Sequence, residues 1–443
     1  MAAMTIRRTF FAFLSLALAT SAFAQENRCA SLRLDEVLAR IDGAKMKQTV
    51  EKLASFGTRH SLSDTKSDTR GIGAARRWIF DELSRYAAAS NGRMTISYQS
   101  SMQSGPRTKD QPAEMINVVA TIKGTTDPNR VYVATGHYDS MNSDVMDSAG
   151  DAPGANDDAS GTSEIMEVAR VLSQYPTDAT IVLAAVMGEE QGLFGSTGLA
   201  DHSLAEKWNV EGDITNDIAG SVEGSSGAID NRTLRIFSAN TLPIGDSTSR
   251  HWARFVRDGA RRWLPQVNVR LVYRLDRYRR GGDHAPFFDL GFPAIRFTEA
   301  NENYRHQHQN VRVENGVQYG DLPQFVSADY LKLVASTNTV ALATAACAPS
   351  APRNVKVAGA VSDDTTLTWD VGTDADLAGY EIVIRETTGD EWERVIAVGK
   401  VGTFTAKDVR IDNYFFGVRA IDTDGNRSPV RTPDEPIRQT KWR

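Results

Sequence analysis

From Met94 onward, short apolar runs alternate with stretches whose apolar residues recur at helical spacing. Residues 116–122, 131–134 and 180–187 read as buried strands, and residues 160–173 between the last two as a helix. In that helix Ile165, Val168, Ala169 and Leu172 share one face. Later text continues the scheme, with strands at 234–238 and 294–298 and a helix at 249–263. Strand, helix and strand at this spacing predict an α/β fold: a mainly parallel mixed sheet flanked by helices. Upstream, residues 32–89 read as helical, with a break at Phe56-Gly57-Thr58-Arg59-His60 and apolar residues at helix spacing over 74–86.

The period changes again after Ala348, where Pro349 and Pro352 mark a linker. Residues 366–369, 379–384 and 414–420 tend to alternate in period two between turn-rich segments, which predicts a C-terminal β-sandwich. Residues 351–433 resemble a fibronectin type III module, with Trp369 in place of its buried tryptophan and Tyr414 in place of its corner tyrosine. Such modules bind or space, so this one is expected to hold the chain on a surface or polymer, or to act as a spacer. The expected division is 1–24, 25–348 and 349–443.

The N-terminal text sets the expected compartment. Arg7 and Arg8 precede an apolar run over residues 10–19, and Ser21-Ala22-Phe23-Ala24 offers small residues where an export peptidase cuts. This is the layout of a signal peptide, so the mature chain is expected to start near Gln25 and to be periplasmic or extracellular. No later stretch is long and apolar enough for a membrane span. The formal charge of −6 becomes −8 once Arg7 and Arg8 are removed, and this mildly acidic balance gives no reason to expect a nucleic-acid partner. The chain has two cysteines, Cys29 and Cys347, too few for an all-cysteine zinc site. In an exported protein such a pair can tie the two ends of one domain together. Whether they are bonded is left open by the sequence.

Three polar clusters lie where open α/β sheets place ligands, at strand ends or before a helix. The first is Gly136-His137-Tyr138-Asp139-Ser140, in which His137 can bind a metal through one nitrogen while Asp139 accepts a bond from the other. Alone, such a histidine is more often a loop or core residue. The second, Gly154-Ala155-Asn156-Asp157-Asp158-Ala159-Ser160, would alone be an ordinary helix cap. The third, Gly188-Glu189-Glu190-Gln191-Gly192, sets two carboxylates after a buried strand, a costly placement unless a cation or proton neutralises them.

In order and text the clusters resemble the bacterial leucyl aminopeptidase, aminopeptidase Y and glutaminyl cyclase group of zinc exopeptidases, over about residues 115–308. The resemblance implies the zinc exopeptidase fold and two zinc ions. It makes His137 a ligand of one zinc, oriented by Asp139, and Asp157 a bridge between both. Glu189 becomes the general base and Glu190 a ligand of the second zinc. Asp217, in Asn216-Asp217-Ile218-Ala219-Gly220, takes the place of the group's Asn-x-Asp ligand, although here Asn and Asp are adjacent. The last ligand falls on His308, with His306 as the alternative, because Gln307-His308 best fits the residue before the usual ligand. Gln307 replaces a tyrosine found in some relatives, so that auxiliary role stays unassigned.

The activity implied is hydrolysis of the N-terminal peptide bond of peptides with a free N-terminus. Two zincs share a water and lower its pKa, and Glu189 takes its proton. The alternatives are a one-zinc glutaminyl-peptide cyclase and a binding homologue without catalysis. The basic run at residues 270–280 reads as a solvated face or, alternatively, as the source of an arginine that meets an acidic substrate group.

Overall fold

The computed structural model describes Cys29, residues 32–240 and residues 246–433. The expected signal segment at 1–24 lies outside the described residues. Eight strands form one mixed sheet: β1 (Met94–Gln103), β2 (Ala113–Ile122), β3 (Asp127–His137), β4 (Ala179–Val186), β5 (Asn209–Asn216), β6 (Thr233–Phe237), β7 (Asn268–Val272) and β8 (Ala294–Glu299). Their order is β1-β2-β4-β3-β5-β8-β6-β7. The pairs β4–β3, β3–β5 and β5–β8 are parallel, and β1–β2, β2–β4 and β6–β8 are antiparallel. The parallel centre comes from crossovers that need helices on the faces.

Both faces are covered, which is why β4 reads as an unbroken apolar run. Ile181, Leu183 and Ala185 belong to one core, and Val182, Ala184 and Val186 to the other. The first core is closed by α2 (Gly43–Ala54), α3 (Gly71–Ala88), α4 (Ala159–Leu172), α6 (Thr248–Trp263) and α8 (Ala328–Ala346). The second is closed by α5 (Phe194–Ala205) and α7 (His284–Asp289), through Leu199, Ala200 and Phe287. Ahead of these helices runs the short α1 (Leu34–Ala39). Among the described residues no helix is long and apolar enough to cross a membrane.

The break between α2 and α3 is longer than the sequence pattern suggests. It runs on to Arg70, because Asp64 accepts from the main-chain nitrogens of Lys66 and Ser67, and Gly71 adopts φ 86°. Arg59 in this break is fully buried and donates to the main-chain oxygens of Tyr138, Pro153 and Gly154. The break thus braces two of the three polar clusters.

A short hairpin, β9 (Arg312–Glu314) with β10 (Val317–Tyr319), follows the last cluster. Beyond α8 lie β11 (Arg353–Ala358), β12 (Thr365–Asp370), β13 (Leu377–Glu386), β14 (Arg394–Ala397), β15 (Thr403–Ala406) and β16 (Tyr414–Asp422). They form two three-stranded antiparallel sheets, β11-β12-β15 and β14-β13-β16. Leu367, Trp369, Ile382, Ile384, Phe416 and Val418 fill a separate core between them. Trp369 is buried, edge-on to Tyr380 at 5.4 Å. Tyr414 does not play the corner role expected of it, since its hydroxyl meets Arg394 Nη2 at 3.4 Å. Tyr380 instead closes a turn, its hydroxyl accepting from the Gly372 nitrogen at 2.6 Å.

Cys29 and Cys347 are joined in a disulfide with Cα atoms 5.5 Å apart. The bond fastens the start of the described chain to the end of α8.

Candidate metal centre

Three loops leave the C-terminal ends of neighbouring strands and meet in one cleft. His137 is the last residue of β3, Glu189 and Glu190 follow β4, and Asp217 follows β5. Asp157 enters from the loop before α4. Two glycines allow that close approach: a Cβ on Gly136 would stand 2.4 Å from the Gly161 carbonyl carbon, and one on Gly161 would stand 2.3 Å from the Asn216 oxygen.

Adjacent carboxylates divide the work in the second cluster. Asp158 caps α4, accepting from the Gly161 nitrogen at 2.8 Å, and also accepts from the His137 nitrogen at 2.9 Å. Asp157 points into the cleft instead, with its Oδ1 3.1 Å from His137 Nε2 and its Oδ2 2.8 Å from His308 Nε2. The peptide between the two aspartates is cis. Asp321 fixes this loop from the far side, accepting from the nitrogens of Asn156 and Asp157.

The third cluster divides similarly. Glu190 is buried, with Oε1 3.1 Å from His308 Nε2, whereas Glu189 is only partly buried. The main-chain nitrogens of both donate to the Asp139 carboxylate, at 3.3 and 3.2 Å. His137 Nδ1 lies 3.2 Å from the Asp139 main-chain oxygen and 3.4 Å from its Oδ1. Asp139 therefore orients both the imidazole and the Glu189-Glu190 turn.

Two groups of three ligand atoms result, His137 with Asp157 and Asp217, and Asp157 with Glu190 and His308. Within each group the atoms lie within 4.8 Å of one another, and Asp157 belongs to both. A third group, His137 with Glu189 and Glu190, overlaps them. His306 is not in any of them; its ring stacks on Phe325 at 3.6 Å. His308 has a left-handed backbone, φ 52°, that turns its ring inward.

The electrostatics are those of a site built around missing positive charge. Burial, with His137 opposing and Asp217, Glu190 and Asp283 adding to it, holds the Glu189 carboxyl well above the usual range. Burial also works against ionising Asp157, but His308 and His137 outweigh it and hold that carboxyl well below. Asp217 Oδ1 is buried and accepts no hydrogen bond, and the polar side chain against Glu190 Oε1 is the His308 imidazole. Buried carboxylate oxygens that face imidazoles able to lose their protons are the donor set zinc takes. The residues present fit the metal.

Several residues that shape the site belong to no recognisable motif. Arg296, inside β8, lies 2.9 Å from Asp217 Oδ2. Asp276 stands 3.2 Å from the same guanidinium. The basic run splits: Arg277 turns in toward Asp276, Asp217 and Glu302, while Arg274 and Arg279 flank the exposed Tyr278 ring. A charged residue within an apolar strand was the one available clue to Arg296, since a buried guanidinium requires a partner.

A mixed α/β sheet that gathers imidazoles and carboxylates at its parallel strand ends belongs to the class of metal-dependent enzymes. Residues 117–315 match the sequence model of Peptidase family M28. The chain is 45% identical over 420 residues to a "Probable zinc metalloprotease" of Pyrenophora teres f. teres, covering 90% of this chain and 87% of that protein. It is also 45% identical over 416 residues to a similarly named protein of Leptosphaeria maculans, covering 90% and 96%. Among solved structures, LapB from Legionella pneumophila shares the fold with a TM-score of 0.53 at 20% identity, over 70% of this chain and 74% of that one. The aminopeptidase from Aneurinibacillus sp. strain AM-1 does so with a TM-score of 0.53 at 16% identity, over 71% and 96%. The chain belongs to peptidase family M28 and is a zinc metallopeptidase, a hydrolase.

Proposed function

We propose that the chain is an aminopeptidase that removes the N-terminal residue of peptides with two zinc ions. One would be held by His137, Asp157 and Asp217, the other by Asp157, Glu190 and His308. The observation that carries this reading is the sharing of Asp157 between two three-residue groups. Zinc in these sets supplies an acidified water and a polarised scissile carbonyl.

Glu189 is the general base. It is the more exposed member of the carboxylate pair, and His308 contacts Glu190 instead. That leaves Glu189 free to take a proton from the attacking water and pass it to the leaving amine. Asp139 is a positioning residue that keeps the His137 ring and the Glu189 turn in register. The excess of carboxylates in the cleft suits a substrate's α-ammonium group.

Export to the periplasm or the cell exterior is part of the same proposal, and the Cys29–Cys347 disulfide supports it, because such bonds persist in oxidising compartments. The C-terminal sandwich is proposed as a fibronectin type III-like module, supported by the buried Trp369 between its two sheets.

Zinc stoichiometry measured beside a panel of aminoacyl amides and their N-acetylated forms tests the activity. Two zincs per chain, with amine release from the free forms alone, are expected. One zinc with pyroglutamate formation would make it a cyclase, and no turnover by fully metallated protein would make it a binding homologue.

A further inference from the structure

The two ligand groups differ in what stands behind them. Among the described residues, the ion partners of Asp157 and Glu190 are histidines. Asp217 instead faces two guanidinium groups, Arg296, fully buried on β8, at 2.9 Å and Arg277 at 4.0 Å from its Oδ2. One Arg296 guanidinium nitrogen, Nη1, lies 2.9 Å from Asp217 Oδ2, and the other, Nη2, donates to the main-chain oxygen of the same residue at 3.2 Å. Nη1 also meets Asp276 Oδ2 at 3.2 Å and donates to the Gly281 oxygen at 3.0 Å. The arginine is itself anchored from behind.

A planar fork that holds a carboxylate oxygen and the carbonyl of one residue fixes both the place and the rotation of that side chain. Oδ1 is then the oxygen of Asp217 left for a ligand. It is buried, accepts no hydrogen bond and lies 3.9 Å from His137 Nε2. Without the Arg296 guanidinium, Arg277 would still stand 4.0 Å from Asp217 Oδ2 and 3.0 Å from Asp276 Oδ1, but no fork would grip the Asp217 carboxylate and carbonyl together, and the side chain would be free to turn away from His137.

We propose that Arg296 is a positioning residue that presents Asp217 as a one-oxygen ligand, so that zinc uptake by the His137, Asp157 and Asp217 group depends on it. The inference rests on the two-zinc reading. It makes the two equivalents unequal in one respect: loss of Arg296 reaches one of them and spares the other.

The test is titration of the chelator-stripped full chain with zinc chloride, with zinc content after dialysis as a second readout. Wild type is expected to take up two equivalents. Arg296→Lys keeps the cation but loses the fork, and should weaken one equivalent about tenfold while leaving the other unchanged. Asp276→Asn loosens the arginine from behind and should weaken the same equivalent by a smaller factor. A merely structural role would weaken both equivalents together, and that result overturns the proposal. Uptake by folded Arg296→Lys that equals or exceeds wild type at both equivalents overturns it as well. A wild type that takes up one equivalent refutes the two-zinc reading itself, whatever the variants do.

Discussion

At the seam between the helices around the large sheet and the C-terminal antiparallel sheets, Asp246 receives Arg254 Nη1 and Arg385 Nη2, each at 2.6 Å, with Arg250 at 3.4 Å. Next to it, Arg254 and Arg257 meet Asp390 at 3.1 and 2.5 Å, and Arg257 reaches Glu391 at 2.9 Å. The metal centre buries carboxylates as deeply, yet among the described residues the ion partners of Asp157 and Glu190 are the imidazoles of His137 and His308, with the neutral Gln307 amide donating to Asp157 Oδ2 at 3.0 Å. Burying a carboxylate is costly in either place, and the compensation differs. Arginine stays charged at any ordinary pH, so the seam's neutralisation is permanent and structural. Imidazole can give up its proton, which leaves the centre able to accept a metal in its place.

The comparison is broken most severely at Glu189, the member of the carboxylate pair proposed to hold no metal. Glu189→Gln keeps the shape and loses the proposed base. Turnover should fall about a thousandfold, about 4 kcal/mol of transition-state stabilisation, with zinc content and thermal unfolding as in wild type. Steady-state kinetics beside metal analysis checks this, and loss of zinc together with turnover would move Glu189 into the ligand set.

The seam should answer the opposite way. Asp246→Asn leaves Arg254 and Arg385 buried without their shared partner, so it should destabilise the fold by about 3 kcal/mol in denaturant unfolding, with zinc content unchanged. Burial tends to raise the Asp246 carboxyl, but His251, Arg254 and Arg385 outweigh it and hold it below the usual value. A depressed folded pKa gives stability that is present above the unfolded value of about 4 and is lost as pH falls through the folded one. Wild type should therefore lose stability more steeply than Asp246→Asn on acidification below about pH 4. Equal slopes would show that the seam does not depend on the Asp246 charge.

The contrast between centre and seam also explains what the sequence made legible. His137, Asp157, Glu190 and Asp217 stood out as candidates because each lies beside a recognisable apolar run, and the resemblance of the clusters to a zinc exopeptidase group supplied the roles that position alone did not. The alternation of C-terminal strands was equally visible. The partners that hold these ligands come from far along the chain: Asp321 binds the Asp157 nitrogen across 164 residues, and Arg385 reaches Asp246 across 139. No local spacing encodes such pairs. Tyr414 shows the complementary error, since a tyrosine at the right place in a pattern does not fix where its hydroxyl points.

The smallest effect concerns the one choice the text left between neighbours. His306 and His308 are two residues apart, and chain position alone could not separate them. The separation comes from the left-handed turn at His308, which carries its Nε2 between Asp157 and Glu190, while the His306 ring lies against Phe325. Burial, with Arg305 nearby, lowers His306 to about 4, so it is neutral at physiological pH and has no share in balancing the centre's charge. His306→Ala should thus lose about 1 kcal/mol of ring stacking, seen as a small drop in Tm, and keep both zinc and turnover. His308→Ala should keep the stacking and lose zinc. A His306→Ala protein depleted of zinc would reverse the assignment, and with it the claim that His308 is what joins Asp157 to Glu190.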